Sequence, residues 1–364
     1  MKKTNLIVIG GFLGAGKTTS ILAMAKHMLD KGHKIGIVTN DQGSQLVDTA
    51  FLADNGLPVL EVDGGCFCCN FDEFTNKVNQ LTEELKPDII LAEPVGSCTD
   101  LVATIFKPMQ QQSTDKFALR PLSIVVDPKR LRRLMMQTDT VFPNEINYLF
   151  EKQLEEADII ILNKIDALNE NEIKIMKGFL EARFPGVEVL AVSAREALNI
   201  DKWADLLCGT LAENQKTLDI DYKTYGDAES YLGWLNCRIS IKSNKKEDWN
   251  AFLLGYLDST KQRLMTLNAE IAHLKAYSIG SGDWAKISLT SIYETSEFSR
   301  CMQAPVKEIQ LIINARVNLK PDVLKEVILK TLDHHTVEKG LIASGISIEC
   351  FSPARPNPKY RIAG

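Results

Sequence analysis

Cys66-Phe67-Cys68-Cys69 places three thiols within four residues. Several thiolates on one short loop can converge on a soft or borderline cation such as Zn²⁺, Cu⁺ or Co²⁺. Thiolates ligate only once deprotonated, so such a loop couples metal affinity to its electrostatic surroundings. Cys66, Cys68 and Cys69 are therefore the candidate metal ligands. Cys98, Cys208, Cys237, Cys301 and Cys350 lie apart in the chain and read as ordinary buried, unreactive cysteines.

A second set of residues suits phosphate chemistry. Gly11-Phe12-Leu13-Gly14-Ala15-Gly16-Lys17-Thr18 has the complete phosphate-loop pattern, between an apolar run and a helical one. Backbone N–H groups of Gly11, Gly14, Ala15, Gly16 and the first helical residues, Thr19 included, can face the phosphates. Lys17 can neutralise β and γ oxygens, and the Thr18 hydroxyl can ligate Mg²⁺. In Asn163-Lys164-Ile165-Asp166, the carboxylate of Asp166 can accept from N1–H and the exocyclic amine of guanine. Adenine offers no such donor pair, so GTP is the expected nucleotide. Ser193 and Ala194, after the next apolar run, can close over the base. Glu93-Pro94-Val95-Gly96 puts an acid where it can hold Mg²⁺ through water, and Gly96 N–H can reach the γ-phosphate, so this segment should sense hydrolysis. Asn40-Asp41-Gln42-Gly43 is the candidate first switch, in which Asp41 is either a turn residue or a metal or water contact. Lys17, Asp41 and Glu93 are the catalytic candidates. The second switch has no Asp-x-x-Gly-Gln, so intrinsic turnover should be slow and accelerated by a partner or metal.

The elements that must position these residues are visible as periodicity. Short apolar runs at Leu6 to Ile9, Ile35 to Val38, Ile89 to Leu91, Ile124 to Val126, Ile159 to Leu162 and Val187 to Val192 alternate with helical patterns such as Lys17 to Leu29 and Glu170 to Phe184. That alternation predicts an α/β domain with a mostly parallel sheet buried on both faces, over residues 1–215. A polar connector is expected at 216–231. Beyond it the period changes to two, with Ile239 and Ile241, then Ala285, Ile287 and Leu289, then Ile309, Leu311, Ile313, Ala315 and Val317 on single faces. Helical patterns at Trp249 to Leu257 and Val323 to Leu332 interrupt these strands. Residues 232–352 therefore form a smaller α+β domain of ferredoxin-like order, and the Pro-rich 353–364 is an extended tail.

Composition excludes several classes. No apolar run approaches the ~18 residues of a membrane span. A net charge of −5 argues against nucleic acid as a partner. The basic run Lys129-Arg130-Leu131-Arg132-Arg133 reads as a solvated helix face. Lys2-Lys3 followed by Leu6 to Ala15 resembles a short secretory leader, but its removal would destroy the phosphate loop. Eight cysteines spread over 364 residues do not form a disulfide framework, which points to the cytoplasm.

Gly11 to Thr18, Glu61 with Gly65-Cys66-Phe67-Cys68-Cys69, Glu93 to Gly96 and Asn163 to Asp166 together resemble the CobW-type GTPases, relatives of the nickel-inserting HypB and UreG and of the mutase chaperone MeaB. The resemblance spans the first domain. It implies a GTP-gated metallochaperone, with the Cys-x-Cys-Cys loop as a Zn²⁺ or Co²⁺ site and a metalloprotein or corrinoid-protein client. A homodimer is compatible with it. The second domain resembles the family only in its order of elements and lacks the histidine-rich tract of some members, retaining His273 and His334-His335. A regulatory GTPase whose thiol loop senses redox state or metal, without delivery, is the alternative.

Overall fold

The computed structural model describes residues 3–40, 47–62, 64–113, 115–136, 142–212 and 217–362. The first part of the chain runs β1 (Thr4–Gly10), α1 (Lys17–Asp30), β2 (Ile35–Asn40), α2 (Val47–Asp54), β3 (Val59–Val62), α3 (Phe71–Leu85) and β4 (Ile89–Glu93). A π-helical turn, Val102–Phe106, then enters α4 (Lys107–Ser113). It continues through β5 (Phe117–Leu119), β6 (Ser123–Val126), α5 (Pro128–Met136), α6 (Asn144–Glu155), β7 (Ile159–Leu162), α7 (Glu170–Arg183), β8 (Glu188–Ala191), α8 (Ile200–Gly209) and α9 (Tyr222–Ser230).

The strands pair in the order β3-β2-β4-β1-β6-β7-β8, with β5 also against β1, and every pairing is parallel. β1, β2, β4, β6 and β7 are Val- and Ile-rich, and nearly every residue in them is buried, as helices on both faces require. Parallel pairing has a direct consequence for function. It brings the carboxyl ends of β1, β2, β3, β4, β6, β7 and β8 to one edge, where the loops that follow them can share a ligand.

The chain divides into two units, the described residues of 1–42, 52–228 and 356–364 in one and those of 43–51 and 229–355 in the other. The stretch expected to be a connector instead carries α9. Tyr222, Tyr225 and Ala228 recur at helical spacing, and Tyr225 and Ala228 are buried, so a short apolar stripe overrides the polar composition.

The second unit holds β9 (Gly233–Glu247), α10 (Trp249–Thr266), β10 (Ile271–Gly280), β11 (Asp283–Leu289), β12 (Glu297–Arg300), β13 (Val306–Val317), α11 (Pro321–Glu338) and β14 (Ile342–Phe351). Its antiparallel order is β12-β11-β10-β13-β9-β14. Without the β11–β12 hairpin, the order β10-β13-β9-β14 is ferredoxin-like. Leu235, Cys237, Ile239 and Ile241 on β9 and Ile309, Leu311, Ile313 and Ala315 on β13 join Phe252, Leu253, Leu324 and Ile328 of the helices in one core. The alternate strand positions carry a polar layer, which receives the start of α2. There Val47 N–H donates to Asn314 Oδ1 (2.8 Å), and Asp48 accepts from Lys275 (2.6 Å) and Lys286 (3.3 Å). Phe51 stands edge-on to Trp284.

Burial opposes ionisation of Asp48, yet Lys275 and Lys286 outweigh it and hold the carboxyl well below its ordinary range. The stabilisation is fully present above the unfolded carboxylate value of about 3.9 and is lost as pH falls below it. Asp48→Ala removes the charge that compensates both lysines and should cost the second unit about 3–5 kcal/mol at pH 7. Hydrogen exchange in β10 and β13 measures this, and the deficit of the variant should shrink as pH drops below about 4.

Candidate functional site

The loop after β1 is shaped by contacts that exclude side chains. Gly11 has φ 133°, and a β carbon there would lie 2.3 Å from the carbonyl oxygen of Val125. Gly16, the N-cap of α1, has φ 98°, and its β carbon would meet Asn163 Nδ2 at 2.5 Å. The chain thus enters α1 with its first N–H groups directed out of the helix end, an arrangement suited to phosphate. Lys17 and Thr18 are buried and Thr19 half-buried in the first turn. Gly96 also has no room for a side chain, since a β carbon would stand 2.7 Å from Leu13 Cδ2 and 3.0 Å from Lys17 Nζ. The Thr18 hydroxyl donates to Glu93 Oε1 at 3.0 Å. A hydroxyl and a carboxylate converging beside the phosphate loop form the hard oxygen set that Mg²⁺ prefers. Asp41 lies outside the described residues.

The loops after β7 and β8 close on the same loop. Asn163 donates to Ala15 O (3.0 Å) and accepts from Ala194 N–H (3.0 Å), so it fastens three loops together. Lys164 adopts left-handed backbone geometry (φ 58°), which sends its ammonium to Gly14 O at 2.8 Å and to the carboxylate of Asp127. Burial disfavours the Asp127 carboxylate, but Lys164 outweighs it and keeps the carboxyl below its usual value. The Ser193 hydroxyl donates to Asp166 Oδ1 at 2.6 Å, orienting a carboxylate that stays exposed to a base. Sequence reasoning missed Asp127. Its signal was positional, as the first residue past β6 on the edge already occupied by Asn163.

The thiol loop follows β3 and ends at the amino terminus of α3. Cys66 Sγ lies 2.9 Å from Cys68 Sγ and 3.1 Å from Cys69 Sγ, and Cys68 and Cys69 are 3.8 Å apart. Cys66 and Cys68 are buried, and Cys69 is half-exposed. Among the described residues this is the group of three or more ligating side chains whose donor atoms all lie within 4.8 Å of one another. Asn40, the last residue of β2, holds the loop by donating to Val62 O (3.0 Å) and Gly65 O (2.7 Å) and accepting from Phe67 N–H (2.9 Å). Phe67 packs on Phe74 of α3 with ring centroids 4.4 Å apart.

Hydrogen bonds from Cys68, Cys69 and Cys98 favour a thiolate at Cys66 and hold its thiol well below the ordinary range. The same bond to Cys66 pushes Cys68 well up and Cys69 up to about 11, so one thiolate is shared and further ionisation is opposed. Cys98 is buried, as its reading as a core cysteine expects, and its side chain is one of the groups that favour the Cys66 thiolate. Thirty residues of sequence separate it from the triplet, and only the β4 loop brings it back. The tail also returns here. Asn357 N–H donates to Cys69 Sγ (3.3 Å), Lys359 N–H donates to Cys68 O (3.0 Å), and Tyr360 stands edge-on to Phe71.

One other expectation changes, and one is met. Arg130 is not on a solvated face, since its guanidinium is buried over the ring of Phe12 at 4.1 Å, with Phe142 and Phe150 around it. His335 is packed among Phe252 and Tyr256 and bonds Ser259, while His334 is exposed, so the pair serves the second unit's core and surface.

Asn40→Ala should release the thiol loop while preserving the sheet. Cys66 and Cys68 in the metal-free, reduced variant should react with a small thiol reagent at least tenfold faster than in the unsubstituted protein, read by mass spectrometry. Equal rates would mean that the bonds of Asn40 do not hold the loop.

A profile described as CobW/HypB/UreG, nucleotide-binding domain, matches residues 5–190. Over 169 residues the chain is 37% identical to the zinc chaperone YeiR of Escherichia coli, covering 46% of this chain and 47% of that one. Over 196 residues it is 31% identical to the zinc chaperone CobW of a Sinorhizobium species, covering 48% and 55%. The chain thus spans about half the length of the curated relatives it matches. Among solved structures, HypB from Helicobacter pylori in complex with nickel aligns with a TM-score of 0.44 at 14% identity, covering 60% of this chain and 93% of that one.

Proposed function

Because this chain belongs to the family of CobW/HypB/UreG nucleotide-binding domains, we propose that it is a GTP-hydrolysing metallochaperone. In this reading Cys66, Cys68 and Cys69 carry a divalent ion as cargo, and guanine nucleotide sets how tightly they hold it. The observation that carries the proposal is the convergence of three sulfurs on a loop anchored by Asn40, the residue at which the candidate first switch begins. Zn²⁺ is the favoured cargo, since it suits a thiolate set and the aligned relatives are named zinc chaperones; Co²⁺ is the next choice.

The residues divide the work as follows. Asp166, oriented by Ser193, reads the guanine edge, and Lys164 braces the phosphate loop from behind through Gly14. Lys17 neutralises charge on the β and γ oxygens, while Gly96, beside it, offers its N–H to the γ-phosphate. Thr18 and Glu93 would hold Mg²⁺, which when bound supplies charge neutralisation across the phosphates. The Asn40–Gly43 segment, with Asp41, would close on the γ-phosphate as the first switch and pull on the thiol loop through Asn40. Hydrolysis then relaxes the site, and the ion passes to a metalloprotein or corrinoid-protein client. No helix among the described residues is long and apolar enough to cross a membrane, and the cytoplasm is the proposed location.

A pair of variants separates the two halves of this reading. Cys68→Ala should weaken Zn²⁺ binding at least tenfold and leave GDP affinity within about twofold. Asp166→Asn should lower the preference for GDP over ADP by a hundredfold or more while sparing the metal, because the carboxylate is the acceptor that matches the donor pair of guanine and not of adenine. Calorimetry with each ligand measures both. Equal loss of metal and nucleotide in Cys68→Ala would make the loop structural, and a Cys66–Cys68 disulfide that forms and breaks without metal would favour the redox-regulatory alternative.

A further inference from the structure

We infer that residues 356–362 form a strap over the thiol loop, and that the Asn357 N–H, by holding the Cys69 sulfur, sets how fast a bound ion leaves. The inference rests on the metallochaperone reading above and places a positioning group far in sequence from both the phosphate and the thiol motifs.

Cys66 and Cys68 are buried and Cys69 is half-exposed, so an ion enters and leaves past Cys69. The strap crosses at that point. The Asn357 N–H donates to Cys69 Sγ at 3.3 Å, and the Lys359 N–H donates to Cys68 O at 3.0 Å. The local sequence suits this pairing. Pro356 and Pro358 have no N–H, so across residues 356–359 only Asn357 and Lys359 can donate, and both donate to the thiol loop. Each proline also confines the residue before it to extended backbone, which reduces the entropy lost when the segment lies down. Pro356, Pro358, Tyr360 and Ile362 are half-buried while the residues between them are exposed, the alternation of an extended chain laid on a surface. A sulfur bound to a cation keeps lone pairs to share, and an N–H directed at it fixes its orientation as outer contacts do for other metal ligands.

The strap has a firm end and a light one. Arg361 donates through Nε to Asp100 Oδ2 at 2.7 Å and through Nη2 to Leu218 O at 2.8 Å, and the Ile362 N–H donates to Ala103 O at 2.9 Å. Asp100 is buried and also accepts from the Tyr222 hydroxyl at 2.7 Å, so its pair with Arg361 is poorly screened by solvent. At the other end Lys359 pairs with Asp72 in the open, where an ion pair contributes little. Tyr360 stands between the two ends, edge-on to Phe71 with ring centroids 5.2 Å apart. Residues 357–359 can thus lift from the sulfurs while 361–362 stay in place, which is the geometry of a hinged cover. A client that takes the ion has to displace Asn357 to reach Cys69.

The test uses the full chain, reduced and loaded with Zn²⁺, and follows transfer of the ion to an excess of a chromogenic chelator. Asn357→Pro replaces the N–H by a ring in backbone that Pro358 already confines, and Arg361→Ala removes the firm end without touching the sulfurs. Each should release Zn²⁺ about tenfold faster than the unsubstituted protein. Asn357→Ala keeps the N–H and should retain the slow rate. In the metal-free protein, Cys69 of Asn357→Pro and of Arg361→Ala should also react faster with a small thiol reagent, read by mass spectrometry of its peptide. Unchanged release in both Asn357→Pro and Arg361→Ala would overturn the inference, and so would equal acceleration by Asn357→Ala, which assigns the effect to the side chain. Either result leaves the metallochaperone reading in place where Cys68→Ala weakens binding. If the chain holds no Zn²⁺ at all, that reading fails, and the reactivity of Cys69 alone decides the strap, with equal rates in all variants overturning it.

Discussion

Sulfurs packed this closely cannot all ionise unless a cation joins them. Two thiolates about 4 Å apart repel by about 4 kcal/mol at an effective dielectric of about 20, and burial adds a desolvation cost. The loop favours a thiolate at Cys66, and that bonding opposes ionisation of Cys68 and Cys69 around it. A divalent ion reverses the balance, because each further thiolate then gains a bond in place of a repulsion. Binding therefore releases protons, and any change in the spacing of the sulfurs changes the affinity steeply.

That sensitivity gives the rest of the first unit its role. The parallel sheet brings the ends of β2, β3 and β4 together, and these carry Asn40, the thiol loop and Glu93. Asn40 clamps the loop with three hydrogen bonds, and Thr18 reaches Glu93 from the phosphate helix. The sulfur group is thus fastened to strand ends that also border the nucleotide loop. The start of α2 is tied into the second unit's sheet through Asp48.

Much of this was legible in the sequence because it rests on local patterns. The strands β1, β2, β4, β6 and β7 are apolar runs with no competing period, and the phosphate loop is a backbone requirement written in glycines. In the second domain the alternation of Ile309 to Val317 and the two helical stripes foretold both elements and order. What escaped depends on distant contacts. Cys98 and Asn357 carry no local signature of their meeting with the thiol loop, and Arg130 was read by its charge when three phenylalanines far apart in sequence decide its place. α9 was hidden by polar composition, although Tyr222, Tyr225 and Ala228 had the spacing to reveal it.

The central claim is that nucleotide state sets metal affinity. Zn²⁺ affinity measured by chelator competition under reducing conditions, first with GDP and then with a nonhydrolysable GTP analogue, tests it most directly. The account predicts binding at least tenfold tighter with the analogue. Equal affinity in the two states, or no binding in either, would contradict it.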